Sequence, residues 1–126
     1  MSVKQNTLKG EFSLKGKGLH TGKEVCATFK PSGENTGYRI VRTDLDSCPE
    51  IPALAKYVEF VDRASCLQKD GVKIFTLEHA MAALYGCGID NCLIEIDGEE
   101  FPILDGSSRY YVEQIEKVGL EEQEAE

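Results

Sequence analysis

The sequence predicts one α+β domain: a small mixed or antiparallel sheet with two helices packed on one of its faces. The chain has 126 residues, which is enough for a single compact core. Apolar and polar residues alternate in short segments over the first two thirds of the chain, a pattern typical of strands with one buried face. Helical spacing appears twice near the end. Many strands and two late helices in a short chain indicate the α+β class.

The predicted strands are short and separated by turn residues. Pro31 to Gly37 is rich in turn formers and predicts a connector between two strands. Lys69-Asp70-Gly71 stands between two apolar runs, and its Asp-Gly pair predicts a hairpin turn. The strand patterns cover residues 8–14, 25–29, 38–43, 50–53, 57–61, 66–68, 72–75 and 92–96.

Two helices are predicted after these strands. Thr76 is the expected N-cap of the first, and glycines after Tyr85 end it. The second begins at Ser107 or Ser108 and ends at Val118. The apolar stripes that would be buried are Leu77, Met81, Leu84 and Tyr85 in the first helix and Tyr111, Ile115 and Val118 in the second.

Composition excludes several classes of function. A net charge of −8 without a cluster of basic residues argues against a nucleic-acid partner. No apolar run approaches the ~18 residues of a membrane span, and the start has no signal-peptide pattern, so we expect a cytoplasmic protein. Five cysteines without a C-x-x-C pair predict reduced thiols. Residues 1–120 are expected to form the domain, and residues 121–126 a solvated, mobile acidic tail or the start of an interdomain linker.

The most informative segment is Thr76-Leu77-Glu78-His79. In the first turn of a helix, Glu78 and His79 would point about 100° apart. A carboxylate and an imidazole at an exposed helix start can serve as general base and metal ligand. Alternatively, Glu78 complements the helix dipole and His79 is an ordinary surface residue. From these two residues alone the second interpretation is preferred, and the order of Glu and His does not match an H-E-x-x-H metallopeptidase.

Two further segments could contribute to a site. The glycine-rich stretch from Gly16 to Gly22 presents His20, but it leads into a strand and lacks the third glycine of a dinucleotide fingerprint. It is either a plain hairpin or a loop of the site. Residues 101–108 make a good turn and N-cap, and a functional role requires Asp105 to face the same cleft as Glu78. Both alternatives stay open at this stage.

Together, five segments resemble one enzyme family. They have the order and spacing found in UDP-3-O-acyl-N-acetylglucosamine deacetylases, which are zinc-dependent enzymes of lipid A biosynthesis. The resemblance extends from about Lys4 to Leu120, and Leu77 is a mild departure from the usual Thr-Val-Glu-His. The segments are Gly18-Leu19-His20-Thr21-Gly22, Arg42-Thr43-Asp44-Leu45, Thr76-Leu77-Glu78-His79, Gly88-Ile89-Asp90-Asn91 and Pro102-Ile103-Leu104-Asp105-Gly106-Ser107.

The resemblance implies a fold and a set of roles. The chain would be the first of two similar domains, with the fold of the ribosomal S5 domain 2-like superfamily. Glu78 matches the general base and His79 the first ligand of a single Zn²⁺. The resemblance places His20 and Asp105 at the substrate-binding cleft. The remaining zinc ligands and the catalytic His belong to the C-terminal domain of the same polypeptide.

The implied substrate is UDP-3-O-acyl-N-acetylglucosamine, and this part of the enzyme is expected to be inactive by itself. The alternative is a stand-alone, non-catalytic α+β binding module.

Overall fold

A computed structural model of the chain describes residues 3–19, 21–53, 58–61, 64–104 and 106–126, and within them the predicted α+β class is confirmed. The elements are β1 (Asn6–Leu8), β2 (Phe12–Lys17), β3 (Glu24–Pro31), β4 (Tyr38–Arg42), β5 (Glu50–Pro52), β6 (Val58–Val61), β7 (Ala64–Lys69), β8 (Val72–Phe75), α1 (Glu78–Gly86), β9 (Cys92–Ile96), α2 (Arg109–Val118) and β10 (Leu120–Glu122).

The main sheet is mixed and has the strand order β2-β3-β9-β4-β5. The pair of β4 and β9 is parallel, and the other three pairs are antiparallel. β6, β7 and β8 form a separate antiparallel sheet. The predicted hairpin between β7 and β8 is confirmed: Asp70 and Gly71 have φ values of 52° and 82°, as a two-residue turn with two left-handed residues requires.

One face of the main sheet and both helices enclose the core. Phe29 of β3 is fully buried, and its ring centroid lies 4.7 Å from that of Phe12 and 5.7 Å from that of Tyr111 in α2. From α1, Ala80, Ala83 and Leu84 enter the same core. Burying each large apolar side chain contributes roughly 1.5–3 kcal/mol. The predicted packing of both helices on one sheet face is therefore confirmed.

The helix boundaries follow the prediction with two corrections. Thr76 does not cap α1: the helix begins at Glu78, and Thr76 has a φ of 60° with its hydroxyl bonded to the carboxylate of Glu100. Tyr85 is 82% exposed, because the buried stripe of α1 is formed by Ala80, Ala83 and Leu84. α2 runs close to its predicted bounds. Among the described residues, no helix has the length and apolarity that crossing a bilayer requires.

The acidic end of the chain is ordered, which corrects the expectation of a mobile tail. β10 pairs with β1 in antiparallel register, with Leu8 opposite Leu120. Beyond β10, the N–H of Gln123 donates to the carbonyl of Gln5 at 2.7 Å. The side chains of β10 are exposed, as expected, but backbone pairing needs no apolar side chains. The alternation over residues 8–14 consequently belongs to two strands in different sheets, β1 and β2.

The cysteines are free thiols, as predicted. Cys66 and Cys92 are buried, whereas Cys26 is half-buried, so only the first two are fully enclosed. Burial raises the pKa of Cys92 to about 12. Since the thiolate is the reactive form, Cys92 is chemically inert at neutral pH.

Candidate functional site

Glu78 and His79 stand at the start of α1, outside the core. Leu77 is 8% exposed and Ala80 is fully buried, so these two residues hold the first turn against the sheet. Glu78 is exposed and His79 is half-buried. No side chain of the described residues hydrogen-bonds the His79 ring. Its nitrogens are therefore available to a ligand, and a carboxylate lies next to it in the chain.

The turn that leads into α1 has an unusual backbone. Thr76 lies in the left-handed region at φ 60°, which is rare for a β-branched residue. The preceding residue is anchored on both sides: the N–H of Phe75 donates to the carbonyl of Glu99 at 2.7 Å, and the N–H of Phe101 donates to the carbonyl of Phe75 at 3.0 Å. The segment around residue 100 therefore holds the turn that presents Glu78 and His79.

The carboxylate of Glu100 links this turn to a second loop. Glu100 is 2% exposed. Its Oε2 accepts the hydroxyl of Thr76 at 2.8 Å, while its Oε1 accepts the N–H and the hydroxyl of Thr21 at 3.1 and 3.2 Å. Thr21 follows His20 directly in the chain. Sequence reasoning missed Glu100; the available signal was an acidic residue immediately before the apolar run that starts at Phe101.

Gly18 makes this link sterically possible. A Cβ at Gly18 would lie 2.0 Å from Oε1 of Glu100 and 2.8 Å from Oγ1 of Thr21. The loop is also closed on itself, because the N–H of Gly18 donates to the carbonyl of Lys23 at 3.0 Å and the N–H of Gly22 donates to that of Gly18 at 3.1 Å. The glycine-rich stretch is thus a tight turn shaped to receive the buried carboxylate.

The segment that precedes Asp105 joins the same region. Gly18 forms an antiparallel bridge with Pro102, and the N–H of Ile103 donates to the carbonyl of Lys17 at 2.9 Å. Three of the five motifs therefore meet at one end of the main sheet. His20 and Asp105 themselves lie outside the described residues, so their predicted contacts with substrate stay predictions.

The Arg42-Thr43-Asp44-Leu45 motif has a structural role. Arg42 is 6% exposed, and its guanidinium donates to the carboxylate of Asp44 at 2.6 and 2.8 Å and to the carbonyl of Lys73 at 2.9 Å. The hydrogen bond from Arg42 lowers the pKa of Asp44. Because Arg42 closes β4 and Lys73 belongs to β8, the guanidinium ties the main sheet to the small sheet that leads into α1.

A polar cleft of about 320 Å³ lies between Thr21, Arg42 and Glu100. Of the described residues that line it, five are carboxylates and two are cationic, and neither Glu78 nor His79 is among them. An excess of negative charge is unfavourable for a phosphate-bearing ligand. We therefore assign this cleft no part in binding an anionic substrate. The seven charged residues are Glu24, Asp44, Asp97, Glu99, Glu100, Lys23 and Arg42.

The Gly88-Ile89-Asp90-Asn91 motif lies at the opposite end of β9. Asn91 is 2% exposed; its Nδ2 donates to the side-chain oxygens of Gln5 and Gln123, and its Oδ1 accepts the N–H groups of Thr36 and Gly37. This amide joins the segment before β1, the connector before β4 and the segment after β10. The motif therefore has a structural role at this end of β9.

The donor set fits part of a metal site. The described residues contain no group of three or more His, Cys, Asp and Glu side chains that could hold a metal ion. A half-buried imidazole without a hydrogen-bond partner among them matches one ligand, and structural or catalytic zinc sites need three or four. If a metal binds at His79, its other ligands come from residues that the structure does not describe.

These observations describe one class of protein: an α+β domain with an exposed Glu78 and a half-buried His79 at a helix start, beside a loop held by a buried carboxylate. Residues 5–126 match the family model of the LpxC enzymes, described as UDP-3-O-acyl N-acetylglycosamine deacetylase. The chain belongs to this family. The predicted family resemblance is thus confirmed over nearly the whole sequence.

Named relatives agree with this assignment. The chain is 58% identical over 123 residues to the bifunctional enzyme LpxC/FabZ of Bacteroides thetaiotaomicron, covering 98% of this chain and 27% of that protein. It is 48% identical over 124 residues to the UDP-3-O-acyl-N-acetylglucosamine deacetylase of Myxococcus xanthus, covering 98% of this chain and 40% of that protein. The chain therefore spans between about a quarter and two fifths of the length of these relatives.

Proposed function

We propose that the protein containing this chain is a zinc-dependent deacetylase that hydrolyses the acetamide of UDP-3-O-acyl-N-acetylglucosamine. The observation that carries the proposal is the adjacent exposed Glu78 and half-buried His79 at a helix start in a chain of this family. The names of the relatives supply the substrate. Its place in lipid A biosynthesis and a cytoplasmic location belong to the same proposal.

Glu78 is the proposed general base. Its carboxylate lies in the first turn of α1 and is exposed, so it can reach a water molecule at the helix start. Glu78 takes a proton from that water as the water oxygen forms a bond with the acetamide carbonyl carbon. The carbon–nitrogen bond then breaks, and the departing nitrogen needs a proton. We assign that proton to a donor outside the described residues.

His79 is the proposed zinc ligand. A zinc ion with an open coordination position lowers the pKa of water and polarises a carbonyl group. His79 can contribute one nitrogen, and the remaining ligands are proposed to come from the C-terminal domain of the same polypeptide. This chain covers only part of the length of its relatives, which supports the existence of such a further domain in them.

The test separates the two roles in the complete enzyme. Glu78→Gln keeps the size of the side chain but cannot accept a proton, so we expect turnover to fall by ~10² or more with the zinc content unchanged. His79→Ala is expected to lower the zinc content itself. Glu121→Gln, an exposed glutamate of β10, is the matched control. Near wild-type turnover for Glu78→Gln would disprove the base assignment.

The alternative is a non-catalytic α+β module. The described residues contain no complete metal site, which favours this interpretation for the chain taken alone. The two interpretations are distinguished by incubating the 126-residue chain with zinc, separating it by gel filtration and measuring its metal content. Weak, substoichiometric zinc is expected from a single ligand, whereas a tight one-to-one site would show that the ligands are assigned incorrectly.

A further inference from the structure

We propose that Glu100 is the positioning residue of the site: its buried carboxylate fixes the loop that carries His20 relative to the helix start that carries Glu78 and His79. It acts through Thr21 and Thr76. This inference rests on the proposed function, because the placement of these elements affects catalysis only if the Glu78–His79 pair is the reacting site.

The first step concerns the burial of the carboxylate. Glu100 is 2% exposed, and a buried carboxylate is costly unless hydrogen bonds replace its water. Three donors do so from Thr21 and Thr76, which lie 79 and 24 residues away in the chain. A carboxylate has two acceptor oxygens, and here Oε1 accepts hydrogen bonds from Thr21 and Oε2 accepts one from Thr76. Glu100 therefore couples two segments that have no sequence proximity.

The second step concerns the turn before α1. Thr76 is in the left-handed region, which a β-branched residue adopts only when its surroundings impose it. Its hydroxyl is the group that Glu100 holds, at 2.8 Å. Because Glu78 follows two residues later, the φ angle at Thr76 determines the direction in which α1 leaves the sheet. Release of the hydroxyl would let the turn relax and displace Glu78 and His79.

The third step concerns the loop on the other side. The N–H and the hydroxyl of Thr21 both converge on Oε1 of Glu100, and the hydroxyl in turn accepts the N–H of Lys23 at 3.2 Å. Gly18 packs without a side chain against the same carboxylate. Thr21 is consequently anchored to Glu100, and Gly18 lies against the same carboxylate. A small displacement of reacting groups is known to cost up to about a hundredfold in rate.

The experiment uses the complete, metal-loaded enzyme and the variant Glu100→Gln. Glutamine has the same shape, but it offers one acceptor oxygen and turns an NH₂ group toward the other donors. We expect kcat to fall at least about tenfold, with KM within about threefold. The melting temperature and the zinc content are expected to stay close to wild type. Glu99→Gln, the exposed neighbour, is the matched control and should change none of these quantities.

A second pair of variants tests the route through Thr76. Thr76→Val keeps the branched shape and loses the hydroxyl, whereas Thr76→Ser keeps the hydroxyl. Valine is expected to reproduce the loss of kcat, and serine to retain most of the activity. In Glu100→Gln, the amide hydrogen of Thr21 should also exchange faster, since it loses a charged acceptor.

The outcomes are distinct. A wild-type enzyme without deacetylase activity would disprove the proposed function. If the wild-type enzyme is active, the role of Glu100 is tested separately from the proposed function. That role is disproved if Glu100→Gln keeps the wild-type kcat. It is also disproved if this variant melts at a lower temperature while its folded fraction keeps the wild-type kcat. Equal kcat values for Thr76→Val and Thr76→Ser would also disprove it, and this pair applies even if Glu100→Gln does not fold.

Discussion

Asn91 and Glu100 are buried polar residues at the two ends of β9, and they organise the two ends differently. Each is 2% exposed. Asn91 donates to two glutamine oxygens and accepts two backbone N–H groups, so both halves of its amide are used. The carboxylate of Glu100 accepts hydrogen bonds, among them those of one N–H and two hydroxyls. The chemistry of each residue matches the donors and acceptors that surround it.

The difference shows how one strand can serve two purposes. The segments joined by the side chain of Asn91 are the one before β1, the connector before β4 and the end of the chain, none of which carries a candidate site residue. The segments joined by Glu100 lead directly to Glu78, His79 and His20. We therefore expect substitutions at Asn91 to change stability and substitutions around Glu100 to change turnover.

The largest expected effect is on stability. Asn91→Ala in the complete enzyme removes four hydrogen bonds and leaves the N–H groups of Thr36 and Gly37 without their acceptor. Buried unsatisfied groups cost about 1–3 kcal/mol each, so we expect a loss of roughly 3 kcal/mol or more. Calorimetric unfolding and amide exchange at residues 36 and 37 measure it.

The control for this prediction is Asn6→Ala. It loses one long hydrogen bond, 3.5 Å from Nδ2 to the carbonyl of Gly88, and should stay within about 0.5 kcal/mol of wild type. The kcat of folded Asn91→Ala should equal that of wild type. A lower kcat for folded Asn91→Ala would contradict the distinction between the two ends of β9.

The next largest effect is expected for Gly18→Ala, on kcat. The added Cβ would displace the carboxylate of Glu100 and weaken its bonds to Thr21 and Thr76. We expect kcat to fall about tenfold, as for Glu100→Gln, and the double variant to be little worse than either single one, because residues in one network are not additive. Gly33→Ala, whose Cβ would meet only a methyl group of Thr36 at 3.8 Å, is the control. Additive losses would show that Gly18 and Glu100 act independently.

The smallest expected effect involves Asp44. Its pKa is lowered in the folded state by the hydrogen bond from Arg42, so the carboxylate stabilises the fold above the unfolded pKa of about 3.9. That contribution is lost as the pH falls through the lower folded pKa. Asp44 is partly exposed, so we expect Asp44→Asn to cost only about 1 kcal/mol at pH 7.

Urea unfolding of wild type and Asp44→Asn at several pH values checks this prediction. The difference between the two proteins should shrink as the pH falls below about 4, and should be lost as the pH passes through the lower folded pKa of Asp44. A difference that does not change with pH would show that shape, not charge, explains the effect. We expect turnover at pH 7 to be unaffected, since Arg42 and Asp44 tie the two sheets together.

Much of the architecture could be read from local patterns. Alternation and helical spacing predicted most strands and both helices, and the Asp-Gly pair predicted the hairpin between β7 and β8. Tyr85 was predicted to be buried because its spacing fits the apolar stripe of α1. The buried side chains of that helix are instead Ala80, Ala83 and Leu84. Thr76 was misassigned as a cap because its hydroxyl has a better acceptor in a residue far along the chain.

The α+β class, the family motifs and the position of Glu78 and His79 at a helix start could be predicted, since all of these depend on residues close together in the chain. Three features became visible only in the fold: Glu100 anchors two of those motifs, Asn91 is structural, and the acidic end forms β10. Each of these is a contact between segments distant in sequence. Such contacts leave no periodic signal, because they depend on which polar groups the fold buries together.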